Sequence, residues 1–299
     1  MTIGWIAVDW GTSNVRAWAM EGARAVDMAT GARGMSSLSP NEFEPAFVEL
    51  AGHWLGDDPM DVVVCGMAGA RQGWAEAPYL KVPCAPLDAG RFAQAATGDA
   101  RLRVRIVPGL AQDDPADVMR GEEAQIAGLL AVDPKFDGVV CLPGTHTKWA
   151  RISAEEVCFF ATAMTGEMFG LMAKSSVLRH SVGAGWDDAT FAEAVSATYA
   201  RPQTLAGQFF GIRATSLLND MDEGAARARL SGLLIGAELA AMKPYWLGQA
   251  VTVIGDPGLS AHYVSALSQL GLDAAIMDGT EAALGGLVAA RRLLNGGQV

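Results

Sequence analysis

The chain has 299 residues, of which 51% are apolar and 18% charged, a balance that excludes a disordered polypeptide. Its length suits about two domains and lets it bury about three quarters of its unfolded surface. Acidic residues outnumber basic ones 33 to 22, a net charge of -11, which argues against general affinity for nucleic acid or anionic membrane while leaving room for one local anion site.

The first residues begin almost directly with a strand, without a basic-then-apolar leader, and no apolar run reaches the 18 or so residues of a membrane helix. Glu167, Glu238 and prolines break the longest candidates. The expectation is a soluble, cytoplasmic protein. Cys65, Cys84, Cys141 and Cys158 form no CxxC pair and read as reduced thiols rather than disulfides or a metal site.

In chain order, residues 3–9 predict a buried strand, Gly11 to Asn14 a tight turn, and Val15 to Met20 a returning strand. Residues 42–55 carry apolar positions at helical spacing. Asp61 to Cys65 is a second buried strand, followed by the small residues Gly66 to Gly69. Arg101 to Val107 alternates as a strand. A polar stretch from Gln112 to Asp117 precedes a predicted helix over Val118 to Leu130. Gly138 to Leu142 is again a buried strand, ending in Pro143-Gly144-Thr145-His146-Thr147, with Lys148 to Ser153 as its return partner. Helical patterns cover 165–178, 188–198, 203–220 and 224–243. A strand at Val251 to Ile254 and helices at 260–270 and 280–294 complete an α/β chain. We expect a domain boundary near residue 120, giving domains 1–120 and 121–299.

The two strand-turn-strand units repeat. Offset by 133 residues, Gly11 matches Gly144 and Thr12 matches Thr145, each pair following an apolar strand. Two ordinary hairpins would explain the match, and so would a duplicated phosphate-gripping turn, one per domain, facing each other over a cleft. In the first unit, Asp9 ends the strand, and Gly11, Thr12, Ser13, Asn14 and Arg16 follow. The glycine permits a sharp turn, and hydroxyls and backbone N–H groups suit anionic oxygens. A carboxylate cannot hold phosphate directly, so Asp9 is either a turn cap or a holder of Mg²⁺ through water. The second unit offers Gly144, Thr145, His146, Thr147 and Lys148 without a carboxylate. Gly255 and Gly258 follow a strand and open a helix, where a nucleoside could approach the backbone. Neither a GxxxxGK[ST] loop nor a GxGxxG turn is present.

Five segments together resemble the 2-dehydro-3-deoxygalactonokinase family, within the sugar-kinase, actin and heat-shock ATPase superfamily. They are Asp9 to Arg16, Cys65-Gly66-Met67-Ala68-Gly69-Ala70-Arg71-Gln72-Gly73-Trp74, Val118 to Glu123, Leu142 to Trp149, and Thr162 to Glu167. Their order and spacing match over essentially the whole chain. One departure is Ala70, where the family's run has serine.

The resemblance implies a two-domain actin-like (ribonuclease H-like) ATPase fold with ATP bound in the cleft between domains. It implies ATP- and Mg²⁺-dependent phosphorylation of 2-dehydro-3-deoxy-D-galactonate at its 6-hydroxyl, in galactonate catabolism. On this reading Arg71, Gln72 and Trp74 meet the sugar acid, joined by Thr165 and Glu167. Both glycine-threonine turns hold phosphates, Asp9 holds the metal, and Gly255 and Gly258 admit the adenosine. By analogy with the Gly-Asp-Gln helix start of related sugar kinases, Glu122 is the general base, with Asp113 the runner-up and Asp114 a third candidate. An exopolyphosphatase-type phosphohydrolase and a kinase for the gluconate-derived epimer are the competing readings; a non-enzymatic nucleotide sensor is a third, of a class that often appends a DNA-binding helix-turn-helix, for which residues 1–20 leave no room. A homodimer is the default expectation for such a chain.

Overall fold

The computed structural model describes residues 3–296. By their contacts, these residues group into two compact units. The first takes residues up to Phe136, Ile152–Phe159 and the segment from Gly279; the second takes Asp137–Arg151 and Phe160–Asp278.

The first unit opens with β1 (Trp5–Trp10), β2 (Val15–Glu21) and β3 (Arg24–Gly31), then α1 (Phe43–Ala51) and β4 (Met60–Gly66). Short strands β5 (Tyr79–Lys81) and β6 (Ala93–Gln94) precede β7 (Leu102–Ile106). The hairpin β8 (Gly109–Asp113) and β9 (Ala116–Met119) leads into α2 (Glu122–Val132). The main sheet runs β3-β2-β1-β4-β7-β6, with β1 antiparallel to β2 and parallel to β4. β5, β8 and β9 form a separate small sheet.

β1 is buried on both faces, and its period of two sorts its side chains between two cores. Ile6, Val8 and Trp10 pack with Phe43, Phe47 and Trp54 on the α1 side. Trp5 and Ala7 face the other way, toward Ala124 and Ala127 of α2.

The second unit has β10 (Gly138–Leu142), β11 (Thr147–Ser153) and β12 (Glu156–Ala163), most of whose residues belong to it. Helices follow: α3 (Thr165–Ser175), α4 (Asp188–Ala200), α5 (Leu205–Leu218), α6 (Glu223–Ala241) and the single-turn α7 (Lys243–Trp246). β13 (Val251–Gly255), α8 (Pro257–Gln269) and β14 (Ala275–Asp278) complete it. Its sheet order is β12-β11-β10-β13-β14, with β10, β13 and β14 parallel. In order of appearance this is third-second-first-fourth-fifth, the arrangement of the first five strands of the larger sheet, β6 aside. The repeat seen in two turns therefore extends to two sheets.

The chain ends in α9 (Gly279–Leu294), which returns to the first unit and lies along α2. Gly128 and Gly286 let the two helices touch: a side chain on either would start within 2 Å of a backbone oxygen of the other helix. Leu287 and Ala290 of α9 join Ala124 and Ala127 in one core with Trp5 and Cys65.

This packing corrects two expectations. The compact units do not divide once near residue 120, because α2 and α9 pack on the first sheet. The helix predicted from Val118 begins only at Glu122; Gln112 to Met119 instead form most of a hairpin whose tip is exposed and whose far ends are buried.

No helix among the described residues is long and apolar enough to cross a membrane.

Candidate functional site

In the first unit the candidate residues gather where parallel strands β1 and β4 end. Register pairs Asp9 with Cys65 and Trp10 with Gly66. Gly66 has φ of +85°, and a side chain there would start 2.6 Å from the Trp10 carbonyl oxygen. Only glycine accommodates both that backbone conformation and that approach. Gly121, at φ of +108°, brings the start of α2 to the same place, its own side-chain position 3.4 Å from the Gly66 Cα.

Asp9 and Arg16 are cross-strand partners, and Arg16 Nη1 donates to Asp9 Oδ2 at 3.2 Å. The other oxygen receives the Cys65 thiol at 3.8 Å. Burial raises the Asp9 pKa from the ordinary carboxylate value, outweighing the opposing pull of Arg16 and of the Cys65 contact. Gly11 N–H donates to the Asn14 carbonyl at 2.9 Å and closes the turn. The carbonyls of Gly11, Thr12 and Ser13 accept N–H groups of Met35, Ser36 and Gly34. With those oxygens engaged, Thr12, Ser13 and Asn14 remain exposed and offer hydroxyl and amide groups to an anion. Arg16 is the exception: its guanidinium already pairs with Asp9.

Arg71 follows the turn after β4. Its side chain is 81% exposed and pairs loosely with Glu76 at 3.6 Å. Gln72 beside it is exposed. Trp74 is not: its ring packs against Trp10, Phe43 and Phe47, with centroids 5.9–6.4 Å away. Trp74 is therefore a core residue of this unit, which corrects its assignment to the sugar acid.

The acidic start of α2 holds three facts. Glu122 Oε2 accepts the Arg120 N–H at 3.0 Å, so it turns back on its own helix start. Glu123, not singled out from the sequence, is fully buried. Its Oε2 accepts the Gly121 N–H at 2.7 Å, and its Oε1 has no partner among the described residues. Burial and the neighbouring Glu122 charge push its pKa up to about 8. Helical spacing was the signal that could have found it, since Glu123 shares a face with Ile126, Ala127 and Leu130, all buried.

Asp113 stands elsewhere. It sits at the tip of the β8–β9 hairpin opposite Ala116, exposed, with Lys81 Nζ 2.5 Å from its carboxylate. The strand end that feeds α2 is about 10 Å back along the hairpin. Asp114, in the same exposed tip, shares that separation.

In the second unit the site forms around the turn between β10 and β11. A side chain on Gly166, in the first turn of α3, would start 2.1 Å from the Gly144 carbonyl oxygen. Glu167 N–H donates to the Thr145 carbonyl at 2.8 Å, and the Glu167 carboxylate meets His146 Nε2 at 2.6 Å. Glu167 and Thr165 thus sit with the second turn. Thr165 is buried and bonds Glu238.

Two other residues of this turn differ from expectation. Thr147 points inward, its hydroxyl 2.9 Å from that of Tyr263. Lys148 is buried, and its Nζ donates to Thr162 at 2.7 Å. Alternation along β11 explains both, because this strand is buried on both faces.

A cavity of about 350 Å³ opens beside the turn. Gly144 and Thr145 form one wall and Thr165 and Gly166 another. Arg227, Ser231, Leu234 and Ile235 of α6 supply a third, and Leu259, His262 and Tyr263 of α8 a fourth. Trp186 stacks on His262, centroids 3.9 Å apart, and both rings line the cavity. Burial lowers the His262 pKa. Gly255 and Gly258 do not line it. Gly255 lies against Pro143 and Ser260, and the Gly258 N–H is taken by Asp256 at 3.0 Å. The lining of the cavity on this side begins one residue later, at Leu259.

Among the described residues no cluster of three or more His, Cys, Asp or Glu side chains could hold a metal.

Residues 9–290 match the 2-keto-3-deoxy-galactonokinase family. The chain belongs to that family. It thereby falls within the sugar-kinase, actin and heat-shock ATPase superfamily. It is 39% identical to a probable 2-dehydro-3-deoxygalactonokinase of Rhizobium meliloti, over 96% of each chain. To the 2-dehydro-3-deoxygalactonokinase of Escherichia coli it is 34% identical, over 96% of this chain and 97% of that one. A crystal structure of a Sinorhizobium meliloti protein provisionally assigned the same activity superposes with a TM-score of 0.89 at 38% identity, covering 97% and 99% of the two chains. As a family member the chain is an ATP-dependent phosphotransferase.

Proposed function

We propose that this protein transfers the terminal phosphoryl group of ATP to the 6-hydroxyl of 2-dehydro-3-deoxy-D-galactonate, giving the 6-phosphate and ADP. The observation that carries the reading is the glycine-threonine turn repeated at the same strand end of two sheets of like order, in a chain of this kinase family. Phosphoryl transfer needs positioning and charge stabilisation more than covalent help from the protein. Backbone N–H groups and hydroxyls of Thr12, Ser13 and Thr145 would hold phosphate oxygens, and the cavity beside Thr145 would take the nucleoside. The actin-like arrangement, with both turns gripping one nucleotide, is part of this proposal.

Asp9 fits Mg²⁺ held through water: a single strand-end carboxylate, part exposed, beside a turn of N–H and hydroxyl donors. When bound, the ion would neutralise charge on the phosphate oxygens. Arg71 would bind the sugar-acid carboxylate, since its long, exposed side chain is held, among the described residues, by a weak surface pair with Glu76. Glu122 would accept the proton from the 6-hydroxyl, because Gly121 just before it lies against Gly66 at the end of β4, the strand paired with the one that carries Asp9.

A coupled assay tests the reading. ADP release that requires the sugar acid supports it. Phosphate release without the sugar acid would assign a phosphohydrolase instead. Running the galactonate- and gluconate-derived epimers side by side fixes the configuration at C4; faster turnover of the gluconate-derived epimer would reassign the substrate.

A further inference from the structure

The longest helix of the second unit, α6, is apolar along most of its buried length, yet Glu238 sits in it, 5% exposed among Leu234, Ile235 and Leu239. Taking a carboxylate out of water is costly unless its oxygens are well bonded. Here they are. Trp149 Nε1 donates to Oε1 at 2.8 Å, the Tyr263 hydroxyl donates to Oε2 at 2.8 Å, and the Thr165 hydroxyl adds a third bond. Tyr263 passes the connection to the Thr147 hydroxyl at 2.9 Å.

The partners come from a specific set of elements. Thr147 and Trp149 open β11, directly after the Gly144–Thr145 turn. Thr165 opens α3, Tyr263 belongs to α8, and Glu238 belongs to α6. The four walls of the cavity are that turn, the start of α3, α6 and α8. Glu238 itself does not line the cavity. It lies on the α6 face that carries Arg227, Ser231, Leu234 and Ile235, one turn beyond them. One buried carboxylate thus ties together every wall of the space without reaching into it.

We infer that Glu238 is a positioning residue for the nucleotide, fixing the second turn, α3 and α8 as one preformed cavity. The inference rests on the kinase reading above. A bare packing role would be met by a leucine; a carboxylate with three donors sets directions as well as distances. Rigid walls lower the ordering cost of binding, so loss of the network should weaken nucleotide binding before it affects the sugar acid.

The test is the ATP dissociation constant by calorimetry, the sugar-acid KM, and Tm, for Glu238→Gln, Tyr263→Phe and the double variant. Glu238→Gln keeps shape but places an N–H₂ group against donors. It should weaken ATP about tenfold, and Tyr263→Phe about threefold, with sugar-acid KM changed less than about twofold. The double variant should be no weaker than about the Glu238→Gln level, because both changes cut one network. ATP affinity within twofold of wild type in the folded variants would overturn the inference. So would equal loss of ATP affinity and sugar-acid KM, which marks general loosening. If Glu238→Gln does not fold, Tyr263→Phe decides by the same criteria. A wild-type chain that bound no ATP would overturn the kinase reading, and this inference with it.

Discussion

Gly166 and Gly144 meet so closely that a side chain on residue 166 would begin 2.1 Å from the carbonyl oxygen of residue 144. The contact seats the first turn of α3 on the second glycine-threonine turn, where Glu167 N–H bonds the Thr145 carbonyl at 2.8 Å. A methyl group at 166 must displace one of the two backbones. We expect Gly166→Ala to cost about 1–3 kcal/mol of stability and about 10²-fold in kcat/KM for ATP. Gly170→Ala is the control, four residues along the same helix. A side chain there meets nothing within 4 Å, so better helix propensity should leave stability equal or raised by about 0.5–1 kcal/mol. Equal kinetics for the two variants would show that the Gly166 contact does not shape the ATP site.

Asp9 has one oxygen on Arg16 at 3.2 Å and the other on the Cys65 thiol at 3.8 Å. Asp9→Asn keeps the shape and removes the charge. Turnover should fall by about 10²-fold or more, with the Mg²⁺ requirement moved to higher concentration and sugar-acid binding nearly unchanged. A magnesium titration of both proteins reads this directly. Unaltered turnover would remove Asp9 from metal binding.

Most of this arrangement was legible in the sequence where a single rule dominates. Strands buried on both faces, such as Val62 to Cys65 and Gly138 to Leu142, leave continuous apolar runs. Glycine-threonine turns mark their ends. The sequence reading failed where tertiary packing chose between periods. Gln112 to Met119 form most of a short hairpin on the surface, too polar to show a buried face. Thr147 belongs to the turn by sequence but opens the strand, and Lys148 starts the strand by sequence yet is expected as a phosphate contact; both side chains point into the protein. Trp74 stands in a family-like run, yet its ring is in the aromatic core with Trp10. Glu123 was hidden by its neighbour. Two consecutive glutamates look alike in sequence, and only the helix face separates the one that is buried.

Arg71 offers a clean kinetic test because Glu76, its ionic neighbour among the described residues, is itself exposed. Arg71→Ala should raise the sugar-acid KM about tenfold or more and leave ATP affinity nearly unchanged. Glu76→Ala should lower the sugar-acid KM slightly or leave it alone, since an exposed pair contributes about 0–1 kcal/mol. An unchanged sugar-acid KM in Arg71→Ala would place the substrate carboxylate elsewhere.

The two carboxylates proposed for proton acceptance differ in setting. Glu122 is at the helix start beside the ends of β1 and β4, whereas Asp113 is paired to Lys81 on an exposed hairpin tip. Glu122→Gln should therefore reduce kcat by about 10²-fold while both substrates still bind, and Asp113→Asn should change it less than about twofold. The reverse pattern would make Asp113 the base and Glu122 a residue that only caps its helix.

Glu123 makes the stability of the first unit depend on pH. Its carboxyl is raised from 4.5 to about 8 by burial and by the Glu122 charge. Between those values the folded chain holds a proton on Glu123 that the unfolded chain has released. Stability linked to this group is therefore full below about pH 4.5 and lost progressively as pH rises toward 8. Asp9 and Glu238 are raised in the same direction, so the wild-type curve alone does not isolate Glu123. The difference between wild type and Glu123→Gln does. Glutamine can still accept the Gly121 N–H, and whatever its amide costs in place of Oε1 does not vary with pH. We expect Glu123→Gln to gain on wild type as pH rises through the window between 4.5 and 8, and the gap to level off above it. Urea midpoints measured at half-unit steps across that range give the curve. A gap that stays constant with pH would mean that Glu123 is charged in the folded protein, held by a partner other than Gly121.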